Sequence, residues 1–293
     1  MLNGTGRIIK SLSGFFYVEA GGETVSCRAR GKVKNSGQIP LVGDYVRFSS
    51  DGKEGSLEAV LPRKNSFVRP AVANIDAIVF VASNSLPVTD PFLIDRISVI
   101  AAQADCELIL CVNKTDLVPA GELSSIYSSA GFTTVETCAT DGSGIPALLE
   151  AMKGKVCAFS GNSGVGKTSL LNRLIPEAEM PVGEVSEKLG RGRHTTRHVE
   201  LFRIDDDTYI ADTPGYASLD IEFSGQIDKY SLQDYFIEFA EYRDGCRYAD
   251  CAHVSEPGCA LREAVEQGLV SRSRYNSYLR MYEQVKNNVS WDQ

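Results

Sequence analysis

Residues 161–168 read GNSGVGKT, and they stand between an apolar run, KVCAFSG (155–161), and a helical pattern, TSLLNRLI (168–175). The spacing G-x-x-x-x-G-K-[ST] lets consecutive backbone N–H groups wrap phosphate oxygens at a helix N-terminus, where the helix dipole favours negative charge. Gly161, Asn162, Ser163, Gly164, Val165 and Gly166 form the cradle, Lys167 meets the β- and γ-phosphates, and Thr168, followed by Ser169, offers its hydroxyl to Mg²⁺. This pattern identifies a nucleotide-phosphate binder and not which nucleotide.

The choice of base is written upstream. CVNKTDLV (111–118) closes the apolar strand ELILCVN (107–113) and carries Asn113-Lys114-x-Asp116. A carboxylate at Asp116 accepts from N1 and the 2-amino group of guanine, a donor pair that adenine does not present, and the Lys114 stem covers the ring. At the end of the next strand TCA (137–139) supplies a short loop, Cys138 and Ala139, whose backbone N–H meets guanine O6. DTPG (212–215) closes a further apolar strand, where Asp212 holds Mg²⁺ through water and the Gly215 amide detects the γ-phosphate.

These are the parts of a GTPase in an unusual order, because the phosphate loop begins 161 − 113 = 48 residues after Asn113. Chain termini lie at the surface and are often close, so joining old ends and opening new ones preserves the same sheet and site. The predicted central domain, residues 69–222, is a circularly permuted P-loop GTPase with strands at 77–82, 107–113, 133–139, 155–161, 198–204 and 208–213. Helical stretches such as PFLIDRISVIAAQA and IPALLEAM between the early strands imply an α/β fold with a largely parallel sheet. Asp205-Asp206-Asp207 reads as a solvated hairpin turn. Switch I is assigned to GRGRHTTR (190–197), where Thr195 or Thr196 reaches Mg²⁺, Thr196 being preferred. Arg191, Arg193, Arg197, His194 and His198 make this stretch basic, which suits phosphate of the nucleotide or of RNA. Ras-like enzymes place a water-orienting Gln after the DxxG glycine; here Tyr216 stands there, so intrinsic hydrolysis is expected to be slow and His194 is the catalytic candidate.

The flanks differ from the centre. Residues 1–68 read as five short strands (GRIIKSL, GFFYVEA, ETVSCRAR, DYVRFSS, SLEAVL) joined by glycine turns, the pattern of an OB-type β-barrel. Ten Lys and Arg against six Asp and Glu leave this segment at 10 − 6 = +4, while the whole chain carries −8. CRARGKVKNSG (27–37) favours RNA contact; a purely structural barrel with a solvated basic loop is the other reading. Residues 223–293 contain Cys246-x4-Cys251-x-His253-x5-Cys259, four ligands within 14 residues, which suits one closed tetrahedral structural Zn²⁺ in a segment too short to build a large core. Leu232, Tyr235, Phe236 and Phe239 before it, and Tyr275, Tyr278, Leu279 and Tyr282 after it, follow helical spacing and read as packing residues. Arg272, Arg274, Arg280 and Lys286 read as a solvated face, with ribosomal RNA contact as the alternative.

At 293 residues, 43% hydrophobic and 23% charged, the chain is long enough for two or three ordinary globular domains. Its N-terminus lacks a secretory apolar core and no apolar stretch approaches the ~18 residues of a membrane span, so a cytoplasmic location is expected. Of eight cysteines, Cys27, Cys106, Cys111, Cys138 and Cys157 fall in predicted strands and read as buried thiols.

CRARG, PLVGD, PRKN, RPAVANID, NKTD, GNSGVGKTSLLN, GRGRHTTRHVEL and DTPG, together with the zinc spacing, resemble the bacterial ribosome small-subunit-dependent GTPase A family (RsgA) over essentially the whole chain. The resemblance implies a monomeric factor that binds the small ribosomal subunit and its rRNA late in assembly and leaves after hydrolysing GTP to GDP. It also points to His194 as the catalytic histidine. A GTP-dependent rRNA-binding module with negligible turnover is the competing reading.

Overall fold

The computed structural model describes residues 2–30, 33, 38–51, 54–68, 70–176, 199–212 and 227–286, with the backbone alone for Leu2 and Asp212. His194, Thr195, Thr196, Gly215 and Tyr216, the arginines 191, 193 and 197, His198 and most of 31–37 lie outside the described residues. The chain divides into two compact units that interleave along the sequence: Met1–Val79, Met152–Ser160 and Lys167–Leu219 in one, Phe80–Ala151, Gly161–Gly166 and Asp220–Gln293 in the other.

In the first unit β1 (Leu2–Leu12), β2 (Phe15–Ala20), β3 (Glu23–Ala29), β4 (Tyr45–Ser50) and β5 (Gly55–Val60) close a barrel. The ladder runs β1-β2-β3-β5-β4 and returns to β1, with β3 and β5 parallel and the remaining pairs antiparallel. Strand β1 starts four residues before the stretch GRIIKSL because its first half pairs with β4, from Leu2 opposite Ser50 to Arg7 opposite Tyr45, and its second half with β2. An irregularity between Ile8 and Lys10 marks the change of register with β2. Gly6 is needed there: a Cβ would stand 2.6 Å from the Glu19 carbonyl oxygen. Ile8, Val18, Cys27, Val46, Phe48 and Leu57 fill the interior, and each large aliphatic or aromatic side chain so buried contributes about 1.5–3 kcal/mol.

A hairpin of β6 (Ser66–Val68) and β7 (Ala71–Ala73) follows, then β8 (Ala77–Ala82). Asp44, wholly buried beside the barrel, is neutralised by Arg63, whose Nε and Nη2 donate to its two carboxylate oxygens at 2.7 and 2.8 Å. Further along the chain β11 (Val156–Ser160) pairs parallel with β13 (Tyr209–Asp212), which pairs antiparallel with β12 (Glu200–Arg203). Strand β12 meets β1 with Lys10 opposite Glu200, and the two side chains form an ion pair at 2.7 Å. Asp205 closes the β12–β13 turn by accepting from the Asp207 and Thr208 N–H groups, as a solvated hairpin turn requires.

The second unit holds α1 (Pro91–Gln103), β9 (Glu107–Val112), α2 (Gly121–Ser129), β10 (Thr133–Glu136) and α3 (Ile145–Met152). Strands β10, β9 and β8 are neighbours, and β10 runs parallel to β9 from Thr133 opposite Ile109 to Glu136 opposite Val112. The near-continuous burial of β8 and β9 is what a parallel sheet covered on both faces demands, whereas β10, at the edge, buries only Val135. Asp90 caps α1 by accepting from the Phe92 N–H, with Pro91 at the first helical position. Helix α2 is an addition to the sequence reading; its serine-rich turn buries only Leu123 and Tyr127, too weak a periodic signal to find.

The C-terminal part of this unit contains two 3₁₀ turns (Leu232–Tyr235, Ile237–Phe239), α5 (Ala260–Glu266) and α6 (Arg272–Val285), the number α4 being kept for Lys167–Leu174 after the phosphate loop. The expected helix before the cysteines is broken at Phe236, whose backbone is extended (φ −100°, ψ 93°). This lets Phe236 and Phe239 stack at 4.9 Å and both lean on Tyr278, at 5.4 and 5.2 Å. The aromatics are packing residues, as their spacing implies. Arg274 is a correction to the solvated-face reading: it is fully buried, whereas Arg272, Arg280 and Lys286 are exposed. The physical reason is the pair of carboxylates, Asp95 and Glu238, that enclose it.

Candidate nucleotide and metal sites

The phosphate loop needs its glycines. Gly161, Gly164 and Gly166 have φ of +133°, +81° and +96°, where an L side chain is strained. The space is also taken. A Cβ on Gly161 would collide with the Val81 carbonyl, and one on Gly166 with the Asn113 amide. These close approaches hold the loop in a conformation that only glycine permits at the three positions.

Asn113 joins this loop to the base reader. It is 1% exposed and its side chain bonds three partners: Nδ2 donates to the Val165 carbonyl at 2.9 Å, and Oδ1 accepts from the Ala139 N–H at 3.1 Å and the Thr137 hydroxyl at 3.2 Å. One buried amide therefore holds together the phosphate loop, the NKxD turn and the TCA loop. Thr137, the first residue of TCA, besides Asn113 engages Cys111 Sγ at 3.2 Å, and its carbonyl accepts from the Thr115 hydroxyl at 3.0 Å. Cys138 is buried and its N–H donates to Ser143 at 3.0 Å. Lys114 has φ +64° and is half-buried, and Asp116 is exposed.

In the other unit Lys167, Thr168 and Ser169 open α4, and Asp212 ends β13. Strand β13 runs parallel to β11 with Ala158 opposite Ala211, so the two strands end on the same side of the sheet, the carboxyl end where ligands of such sheets bind. Burial pulls the Lys167 ammonium down to about 8, and an adjacent phosphate would restore it.

The zinc reading meets a stricter test. Cys246, Cys251, His253 and Cys259 place one donor atom each within 4.8 Å of one another. Cys246 and Cys259 sulfurs lie 3.9 Å apart, and His253 Nδ1 lies 3.6 and 3.3 Å from them, close to the ~3.8 Å edge of a tetrahedron with Zn–S bonds of about 2.3 Å. Nδ1 is the ligating nitrogen, because Nε2 engages Gln233 Oε1 at 2.7 Å, the outer partner that fixes ring and tautomer. The ligand loop is pegged from both sides. Glu256 accepts from the Ala252, Val254 and Ser255 N–H groups, and the Tyr275 and Tyr278 hydroxyls donate to the His253 and Ala252 carbonyls at 2.7 and 2.6 Å. Neither Gln233 nor Glu256 was legible as a site residue, since neither lies in the Cys/His spacing.

Residues 60–222 match the RsgA GTPase family model, and residues 5–57 match the RsgA N-terminal domain. The chain belongs to the RsgA GTPase family. Curated RsgA proteins from Alkaliphilus metalliredigens and Caldanaerobacter subterraneus subsp. tengcongensis, both named small ribosomal subunit biogenesis GTPase, are 39% and 42% identical. These alignments cover 97% and 96% of this chain and 98% and 95% of the relatives. Among solved structures, YjeQ from Thermotoga maritima superposes with a TM-score of 0.81 at 35% identity, covering 97% of this chain and 99% of that one. YloQ, described as a circularly permuted GTPase, matches with the same TM-score at 32% identity, covering 97% and 95%. As an RsgA GTPase the chain hydrolyses GTP to GDP with Mg²⁺, and its Cys/His cluster is built for one structural zinc.

Proposed function

We propose that this RsgA GTPase acts in maturation of the small ribosomal subunit, binding the subunit late in its assembly and leaving after hydrolysis. The near-full-length likeness to curated relatives of that name carries the reading. Three domains share the work in this proposal: a basic barrel (1–68) for rRNA, the permuted GTPase (69–222), and a zinc domain (223–293). In this proposal the factor works as a cytoplasmic monomer. None of the described helices is long and apolar enough to cross a membrane.

Within the site, Asp116 and Lys114 select guanine, and the N–H groups of Gly161–Gly166 with Lys167 hold the phosphates. Thr168, Thr196 and Asp212 hold Mg²⁺, which supplies charge neutralisation at the β- and γ-phosphates. Thr195 and Ser169 border the metal and phosphates, and Gly215 senses the γ-phosphate. His194 orients the attacking water in place of the Gln that Tyr216 replaces. Steady-state GTP hydrolysis with and without purified small subunits tests the reading: strong stimulation is expected. Hydrolysis that stays negligible with subunits present would favour an rRNA-binding module that uses GTP only to fix its shape.

A further inference from the structure

The eight residues that join β8 to α1, Ser83–Asp90, are not a plain connector. The segment is closed on itself: Ser83 N–H donates to Thr89 Oγ1 at 3.0 Å, Thr89 N–H returns to the Ser83 carbonyl at 2.9 Å, and the Ser83 hydroxyl donates to the Ser85 carbonyl at 3.1 Å. Little of this order comes from apolar burial, because Leu86 is 83% and Val88 59% exposed.

Two of its outward contacts fall on the nucleotide-binding elements. The Leu86 carbonyl accepts from Lys114 Nζ at 2.8 Å, and Pro87 lies so close to the phosphate loop that a Cβ on Gly164 would stand 3.1 Å from Pro87 Cδ. Asn84 ties the loop down by donating through Nδ2 to the Pro119 and Ala120 carbonyls, at 2.9 and 2.7 Å, in the segment that follows the NKxD turn. Lys114 itself sits in the left-handed region, a costly conformation for a lysine that persists where its surroundings over-determine it.

We propose that the Ser83–Asp90 loop is a further wall of the guanine-nucleotide site, with Asn84 as its positioning residue. It holds the Lys114 stem where a guanine ring stacks and braces the phosphate loop through Pro87. The proposal rests on the base-reader assignment of Lys114 and Asp116. A restrained lysine stem loses less side-chain entropy when the base arrives, so the loop sets how long nucleotide stays bound. The contacts above fall on Lys114, Gly164 and the Pro119–Ala120 segment, so the loop acts on nucleotide binding rather than on the hydrolytic step.

Dissociation of fluorescent GDP and GTP, measured by stopped flow, is the test. Asn84→Ala and Asn84→Asp each remove two donated hydrogen bonds, and both should speed dissociation roughly tenfold, since each neutral bond is worth about 0.5–1.5 kcal/mol. KM should rise in step while the single-turnover hydrolysis rate stays at the parent value. Pro87→Ala, which removes the ring beside Gly164, should speed release several-fold, and the exposed Val88→Ala should not change it. If the Asn84 variants do not fold, Pro87→Ala alone decides. Parent-like dissociation in folded Asn84 or Pro87 variants, with the parent still preferring guanine to adenine, overturns the loop's role. A parent that binds ATP and GTP alike overturns the base-reader reading itself.

Discussion

Arg274 and Asp95, 179 residues apart in sequence, meet at 2.8 Å with neither side chain exposed to solvent. The guanidinium also forks onto Glu238 at 2.7 and 2.9 Å, donates to the Ser98 hydroxyl at 3.0 Å, and lies against the rings of Phe132 and Phe236 at 5.0 and 4.8 Å. One arginine of α6 thus locks the zinc-bearing segment to α1, the helix that leaves the Ser83–Asp90 loop. With two carboxylates sharing one cation, burial outweighs Arg274 and pushes the Asp95 carboxyl up, and Asp95 Oδ2 has no hydrogen-bond partner.

Arg274→Met should therefore cost on the order of 3–5 kcal/mol, because it leaves two carboxylates buried without their cation. Asp95→Asn keeps an acceptor for Arg274 and for the Tyr127 hydroxyl (2.7 Å) and should cost about 1 kcal/mol or less. Urea unfolding ranks the two variants. Equal losses would contradict the charge imbalance inferred here.

The same shift has a pH signature. A group whose folded pKa is raised contributes stability below its unfolded value and loses it as pH rises through the folded one. The advantage of the parent over Asp95→Asn should hence shrink as pH is raised from about 4, the ordinary range of an aspartate. Unfolding free energies of both proteins across acid to neutral pH check the sign; a widening gap would refute it.

Elemental analysis of protein purified without added metal should find one zinc per chain, and a folded Cys251→Ser variant should lose it. Gln233→Ala, which frees His253 Nε2, should weaken zinc binding roughly 10- to 100-fold in a competition with a chelator. Unchanged affinity would mean that the ring is oriented by the ligand loop alone.

Guanine nucleotides should bind far better than adenine ones, and Asp116→Asn should move the preference towards xanthine, as titration with fluorescent GTP, ATP and XTP analogues would read. Gly166→Ala should weaken all of them by at least about tenfold, since the added methyl meets the Asn113 amide that organises both loops. An alanine variant with parent affinity would show that this close approach is dispensable.

His194→Ala should remove most of the stimulation by small subunits, which in GTPase systems reaches roughly 10³ to 10⁵ when a partner positions the catalytic group. The variant should still bind GTP analogue and subunit. Normal stimulation rules the histidine out as the catalytic group, and lost subunit binding reassigns it to recognition.

Sequence by itself determined the chemistry of this protein and the order of its parts. GNSGVGKT, NKTD, DTPG and the Cys/His spacing are local patterns: each places its groups through a few bonds of one turn or strand end, so reading along the chain suffices. The alternation of the barrel strands and the helical periods of PFLIDRISVIAAQ and IPALLEAM are local in the same sense. Only the tertiary structure decided what those groups do for one another. Asn113, which NKTD suggests as a base contact, also ties Val165, Ala139 and Thr137 together. Arg274, one of four basic residues on a surface-like helix, is buried because Asp95 and Glu238 converge on it from distant turns. Leu86, Pro87, Gln233 and Glu256 carry no motif, because a carbonyl, a ring edge or an outer hydrogen bond gains its role from proximity. Proximity between residues far apart in the chain is set by packing, and no local spacing encodes it.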